Sequence, residues 1–227
     1  MRRARCLHPA CRTHYFPAVL PSRSVIVAIF LLCFTAPLLG QARHPTVPTG
    51  ALAGQRVALV PLTLVAADPA LQGDSLYAKH QDRRATLLWA DSLIGYAFTG
   101  RAPEVHWVLP PELRKIARRS PGIVDDPDEM GQALLRASGL KDVPDPLRAS
   151  LRKLMALVGG RYAMVPASLG FVREAAGTTR AELSLVAADT RSGKVVWRTI
   201  AIGSGANPDQ ALQSALGTVL PLDVTGP

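Results

Sequence analysis

Five arginines, Arg2, Arg3, Arg5, Arg12 and Arg23, stand ahead of an unbroken apolar run from Val25 to Gly40, VIVAIFLLCFTAPLLG. A basic stretch, a hydrophobic stretch interrupted by Pro37 and a small-residue Gly40-Gln41-Ala42 site are the three parts of a secretory signal. Residues 1–42 are therefore expected to be a signal peptide, with the working chain starting at Arg43. The run has 16 residues, short of the roughly 20 that cross a bilayer as a helix, which argues against a retained anchor. Cys33 lies in Leu31-Leu32-Cys33-Phe34 and lacks the small residues that lipoprotein signals place before their cysteine.

This segment constrains the fold because Cys6, Cys11 and Cys33, the chain's three cysteines, all lie within it. What remains has no disulfide, thiolate nucleophile or cysteine–metal site to draw on. Removing 42 of 227 residues leaves 185, and a domain of that size buries enough surface to be stable without staples. The charge falls too. The whole chain carries +9, but losing the five arginines leaves 21 basic residues against 17 acidic ones, a net +4. That modest excess argues against nucleic acid as a partner.

Along the rest of the chain, residues 43–54 are rich in Pro and Gly and read as a flexible lead-in. Arg56 to Leu64 (RVALVPLTL) is an apolar, β-branched run expected to form one buried strand, with Pro61 placing it near an edge or bulge. Ala66 to Gln81 reads as a polar loop. Asp82 is positioned to cap a helix in which Leu87, Ala90, Ile94 and Ala97/Phe98 recur at helical spacing. Glu104 to Leu109 alternates Val105, Trp107 and Leu109, a second strand. Pro110-Pro111 introduces a basic helix from Glu112 to Arg119. Asp126-Pro127-Asp128-Glu129 and Asp145-Pro146 each predict a capped helix, the first closed by Gly139 and the second, running to Val158, by Gly159-Gly160. Arg161–Val172, Arg180–Ala188 and Lys194–Ile202 predict three strands, the last two joined by a Thr190-Arg191-Ser192-Gly193 turn. Asn207-Pro208 begins a terminal helix with Leu212, Ala215, Leu216 and Val219 on one face.

The expected fold is α+β: one domain over 55–220, a mixed or antiparallel sheet of about five strands packed with helices, and a tail over 221–227. Three phrases resemble a family of bacterial envelope domains that includes the curli-secretion lipoprotein, the lipoprotein activators of penicillin-binding proteins and the N-terminal domain of the Tol–Pal translocation protein. They are Arg56-Val57-Ala58-Leu59-Val60-Pro61-Leu62, Gly159-Gly160-Arg161-Tyr162-Ala163-Met164-Val165, and Ala188-Asp189-Thr190-Arg191-Ser192-Gly193-Lys194-Val195-Val196-Trp197. The last is similar to a "D-x-x-T/S-G-x-x-x-W" hairpin. The chain departs from the family in having about three helices over 112–158 where one is usual. The resemblance implies a non-enzymatic scaffold or adaptor in the envelope, an argument by analogy.

Chemical constellations are few. Arg114, Lys115, Arg118 and Arg119 on one short helix, and Arg148, Arg152 and Lys153 on another, are candidates for docking an envelope protein or an anionic envelope surface. Solvated helix faces are the plainer reading of such runs. Asp125, Asp126, Asp128 and Glu129 do not meet the calcium-loop pattern, because Met130 takes a ligand position and Ala137 the closing one. His44, His80 and His106 have no partners at metal-ligand spacing. Gly203-Ser204-Gly205 fits neither a nucleophile elbow nor a dinucleotide loop. No catalytic, cofactor or metal site is expected. Trp107 and Trp197 are core residues by default and partner anchors by alternative. The leading expectation is an exported accessory protein of the periplasm or of the periplasmic face of the outer membrane, which binds another macromolecule. Its contacts would be Arg114, Lys115, Arg118, Arg119 and Trp197, on the basic helix and on the hairpin over 180–202. A hydrolase assembling His106 with Asp91 or Glu182, and a lipid or small-ligand carrier, are the alternatives.

Overall fold

The computed structural model describes residues 45–220; the expected signal peptide and the C-terminal tail over 221–227 lie outside them. The elements are α1 (Thr49–Leu52), β1 (Arg56–Leu59), β2 (Val65–Ala67), α2 (Pro69–Gln72), α3 (Arg83–Arg101), β3 (His106–Val108), α4 (Pro110–Arg119), α5 (Leu147–Val158), β4 (Tyr162–Arg173), β5 (Thr179–Asp189), β6 (Lys194–Gly205) and α6 (Pro208–Val219), with short 3-10 turns at Ala78–His80 and Gln132–Arg136. The class is α+β, with one mixed sheet ordered β3-β1-β4-β5-β6 and β2 pairing further along β4. β3, β1, β2 and β4 run parallel, whereas β4, β5 and β6 form an antiparallel meander.

Strand alternation sends side chains to two cores. Val57 and Leu59 of β1, with Met164, Leu185 and Ala201, face α3 and α6. Ala58 and Val60, with Val108, Val165 and Val186, face α4 and α5. On α3 the buried positions include Ala90, Ile94, Ala97 and Phe98, and Asp82 caps the helix by accepting the Ala85 N–H at 2.6 Å. On α6, Asn207 caps by accepting from Gln210 N–H at 3.0 Å. Each buried leucine or isoleucine on these faces contributes about 1.5–3 kcal/mol relative to exposure.

Four expectations need correction. The lead-in is not a loose arm over its described part: Val47 and Leu52 are buried, and Val47 N–H donates to the Val219 carbonyl at 2.9 Å. The run from Arg56 to Leu64 is not one strand. It is a strand only to Leu59, and the chain re-enters the sheet after the run, at Val65, as the separate strand β2, which makes the sheet six-stranded. Pro166 of β4 sits where the register shifts and where neither β1 nor β2 pairs, so its missing N–H costs no ladder bond. Residues 66–81 are not a loop, because β2, α2 and a 3-10 turn bury Leu71, Tyr77 and His80. The helix expected after Asp126 does not form. Asp126 accepts from Asp128 N–H at 3.0 Å in an Asx turn, and Gly131 at φ +81° redirects the chain into the 3-10 turn.

α5 does form, although no side chain caps its start, and Gly159 closes it at φ +79°.

Candidate functional site: a charged cleft at the carboxyl end of β1

β1 hands the chain to α3 on one face of the sheet and on to β3. β3 hands it to α4 and α5 on the other face and on to β4, on the far side of β1. The carboxyl end of β1 therefore lies where the two connections diverge, the position at which open sheets with parallel strands form a crevice. A cleft of about 850 Å³ opens there. Leu62 and Thr63 after β1, the first turns of α3, the face of α4 holding Arg114 and Arg118, and the loop from Val124 to Glu129 line it.

One arginine organises its floor. Arg114 Nη2 donates to Asp91 Oδ2 at 2.6 Å and to Asp128 Oδ1 at 2.7 Å, while its Nε donates to Asp128 Oδ2 at 2.8 Å. Asp91 Oδ1 accepts the Leu62 N–H at 2.8 Å. The three side chains are 14 %, 4 % and 44 % exposed for Arg114, Asp91 and Asp128. Burial raises the Asp91 carboxyl above its ordinary range, and the Leu62 and Arg114 hydrogen bonds pull against that. The Asp128 hydrogen bonds, opposed by burial and reinforced by Asp91, push the Arg114 guanidinium up. The network thus joins α3, α4 and the 124–129 loop through a largely buried charge pair.

Of the sequence candidates, Arg114 is committed to this floor. Lys115, Arg118 and Arg119 are exposed and make no ion pair among the described residues. Arg118 and Arg119 sit in the last turn of α4, where the helix dipole favours cations. The second basic group ties α5 to the rest of the domain. Arg148 and Arg152 each donate to a carbonyl of the β5–β6 turn, Ser192 and Arg191, at 3.3 Å, and Lys153 lies 3.8 Å from Asp125. Trp197 is half-buried and packs on the core beside α6.

The phrase around Asp189 closes a turn. Asp189 Oδ1 accepts from Arg191 N–H at 3.0 Å, its Oδ2 accepts from Arg161 Nη2 at 2.7 Å, and Gly193 adopts φ +75°. The Arg161 hydrogen bond, against a burial penalty, holds the Asp189 carboxyl well below the usual range.

The hydrolase grouping does not assemble. His106 is exposed and pairs in register with Arg56 at the start of β1, Asp91 contacts Leu62 beyond its end, and Glu182 on β5 pairs with Arg180. Among the described residues no three His, Cys, Asp or Glu side chains converge as metal ligands, and no helix is long and apolar enough to cross a membrane.

Sequence reasoning missed His80, which is 5 % exposed and packs on Trp89 with ring centroids 4.2 Å apart, beside Tyr77 and Phe171. The Tyr77-x-x-His80 spacing was the only local signal, since Trp89 and Phe171 arrive from other elements.

No family model matches the chain, and no curated protein matches it. Among solved structures, it is similar to the PelC dodecamer subunit of Paraburkholderia phytofirmans (14 % identity, 79 % of this chain and 94 % of that one, TM-score 0.38). It is also similar to E. coli LpoB (12 % identity, 90 % and 83 %, TM-score 0.35), and to the lipoprotein GNA1162 of Neisseria meningitidis (14 % identity, 65 % and 78 %, TM-score 0.31).

Proposed function

We propose that the chain is an exported, non-enzymatic accessory protein of the cell envelope, working in the periplasm or on the periplasmic face of the outer membrane. It docks another macromolecule through Lys115, Arg118 and Arg119 on α4. The observation that carries this reading is the division of labour on that helix. Arg114 turns inward and is held by two carboxylates, while the three following cations stay exposed and unpaired among the described residues. A braced helix loses no backbone freedom on binding, and its exposed cations complement an acidic partner surface.

The signal-like start and the three envelope-type phrases support the location. The roles of the buried ionisable groups favour docking over catalysis: Asp91 holds a backbone N–H and Arg114, Asp189 closes a turn, and His80 fills an aromatic cluster. The β5–β6 hairpin offers a second surface, where Val196 and Ile200 are about half exposed while Trp197 anchors the strand from the core side.

In-cell crosslinking and capture of a C-terminally tagged chain from envelope fractions tests the proposal. The expected result is a specific envelope protein that is lost when Lys115, Arg118 and Arg119 are reversed to Glu. Capture that is equal for both forms would overturn the assignment of this surface.

A further inference from the structure

We infer that the cleft at the carboxyl end of β1 is a binding site for an extended peptide segment carrying side chains of both signs. The inference deepens the docking reading and rests on it in one respect, that the chain holds a macromolecule without changing it. The cleft's volume of about 850 Å³ falls within the range of ligand sites, about 300–1,000 Å³, and its place in the topology is where such sheets bind.

Its charges decide the ligand. Arg83 and Arg84 on α3 and Arg118 on α4 line it together with Asp126 and Glu129 of the loop, which Asp128 ties to the floor. Arg83 donates to the Thr63 carbonyl at 2.7 Å and Asp126 accepts a backbone N–H at 3.0 Å. Neither group forms an ion pair with the other among the described residues, and all five side chains are exposed. Opposite charges that share one cleft without pairing are available to opposite charges brought by a ligand. Between them, Leu87 and the 45 %-exposed Leu88 give an apolar strip.

A free phosphate or a nucleotide would satisfy the arginines but face the two carboxylates unfavourably. A phosphoethanolamine headgroup carries both signs, but with its acyl chains held in a bilayer it brings no aliphatic group to cover the Leu87–Leu88 strip. A peptide supplies a carboxylate, a cationic side chain and aliphatic contact together.

Random nine-residue peptides displayed on phage are selected against the full chain recovered from the envelope, with Arg84→Glu/Arg118→Glu and Glu129→Lys forms as parallel targets. The wild type is expected to enrich peptides that combine Asp or Glu with Lys or Arg. As fluorescein conjugates these should lose at least tenfold in affinity on either variant, and peptides whose Asp or Glu alone is changed to Lys should regain affinity for Arg84→Glu/Arg118→Glu. No enrichment over an empty surface, or equal affinity for all forms, overturns the site. Variant-sensitive binding to phosphatidylethanolamine vesicles without peptide affinity overturns it in favour of a lipid. A Lys115→Glu/Arg119→Glu form, altered outside the cleft, separates the two readings. Failure of docking shows as unchanged envelope capture by this form, whereas failure of the cleft shows as absent peptide binding while capture is still lost.

Discussion

The hairpin half of the molecule, β4–β6 with α6, and the helical half, α4 to α5, are built by different means. In the first, ladders of 11 to 12 residues pair the backbone groups of neighbouring strands, and small residues bring α6 onto the sheet. Gly203 marks the limit of that approach: a Cβ there would lie 2.1 Å from the Ala215 amide nitrogen. In the second, residues 120–146 hold only a short 3-10 turn, so their backbone groups turn to side chains. Gln132 donates to the carbonyls of Pro61 and Pro127, Arg198 to those of Ala137 and Leu140, and Ser150 to Asp125 at 2.6 Å. Arg114 joins this set as its one largely buried charge. Where regular pairing is missing, a few long polar side chains do the tethering, and stability concentrates in them.

The largest expected effect follows from that concentration. Arg114→Met leaves Asp91 buried without its counter-ion and should cost about 3 kcal/mol, measured by urea unfolding. Gly203→Ala attacks the other half by crowding alone and should cost about 2 kcal/mol, read as a lowered melting temperature. A third test extends the comparison to the aromatic cluster. Burial lowers the His80 pKa, with Asp209 opposing and Lys79 adding to the shift. The folded chain then binds fewer protons than the unfolded one below about pH 6.5, so stability falls as pH drops through that window. His80→Phe should flatten this slope, and an unchanged slope in denaturation midpoints between pH 7 and 5 would contradict it. The smallest effect is expected for Asp128→Asn. Its carboxylate is half exposed, so the loss should be about 0.5–1 kcal/mol, and Asp91 still holds Arg114.

The same contrast explains what the sequence made legible. The antiparallel half was readable to within a residue or two for β4 and β5, because alternation, the Asp189–Gly193 turn and the Asn207-Pro208 cap are local signals. β6 ran three residues further, through Gly203-Ser204-Gly205, where small residues face α6 and leave no hydrophobic pattern. The failures cluster where tertiary partners decide. Asp126-Pro127-Asp128-Glu129 has every local mark of a helix start, yet Arg114, fourteen positions away from Asp128, draws that carboxylate off and Gly131 turns the chain. The basic run 114–119 was visible as charge, but which arginine faces inward depended on Asp91, whose burial on α3 no local spacing announces. The cleft was invisible for the same reason, since its lining comes from four separated segments.

Native-state hydrogen exchange on the wild type and on Arg114→Met tests the two-region account most directly. The account predicts that β4–β6 amides exchange only with global unfolding in both proteins. Amides over 120–143 should open at lower free energy in the wild type and lose most of their remaining protection in the variant. If Arg114→Met lowers protection equally in β4–β6 and in 120–143, with no separate opening of the loop region, the claim that Arg114 braces that region in particular is wrong.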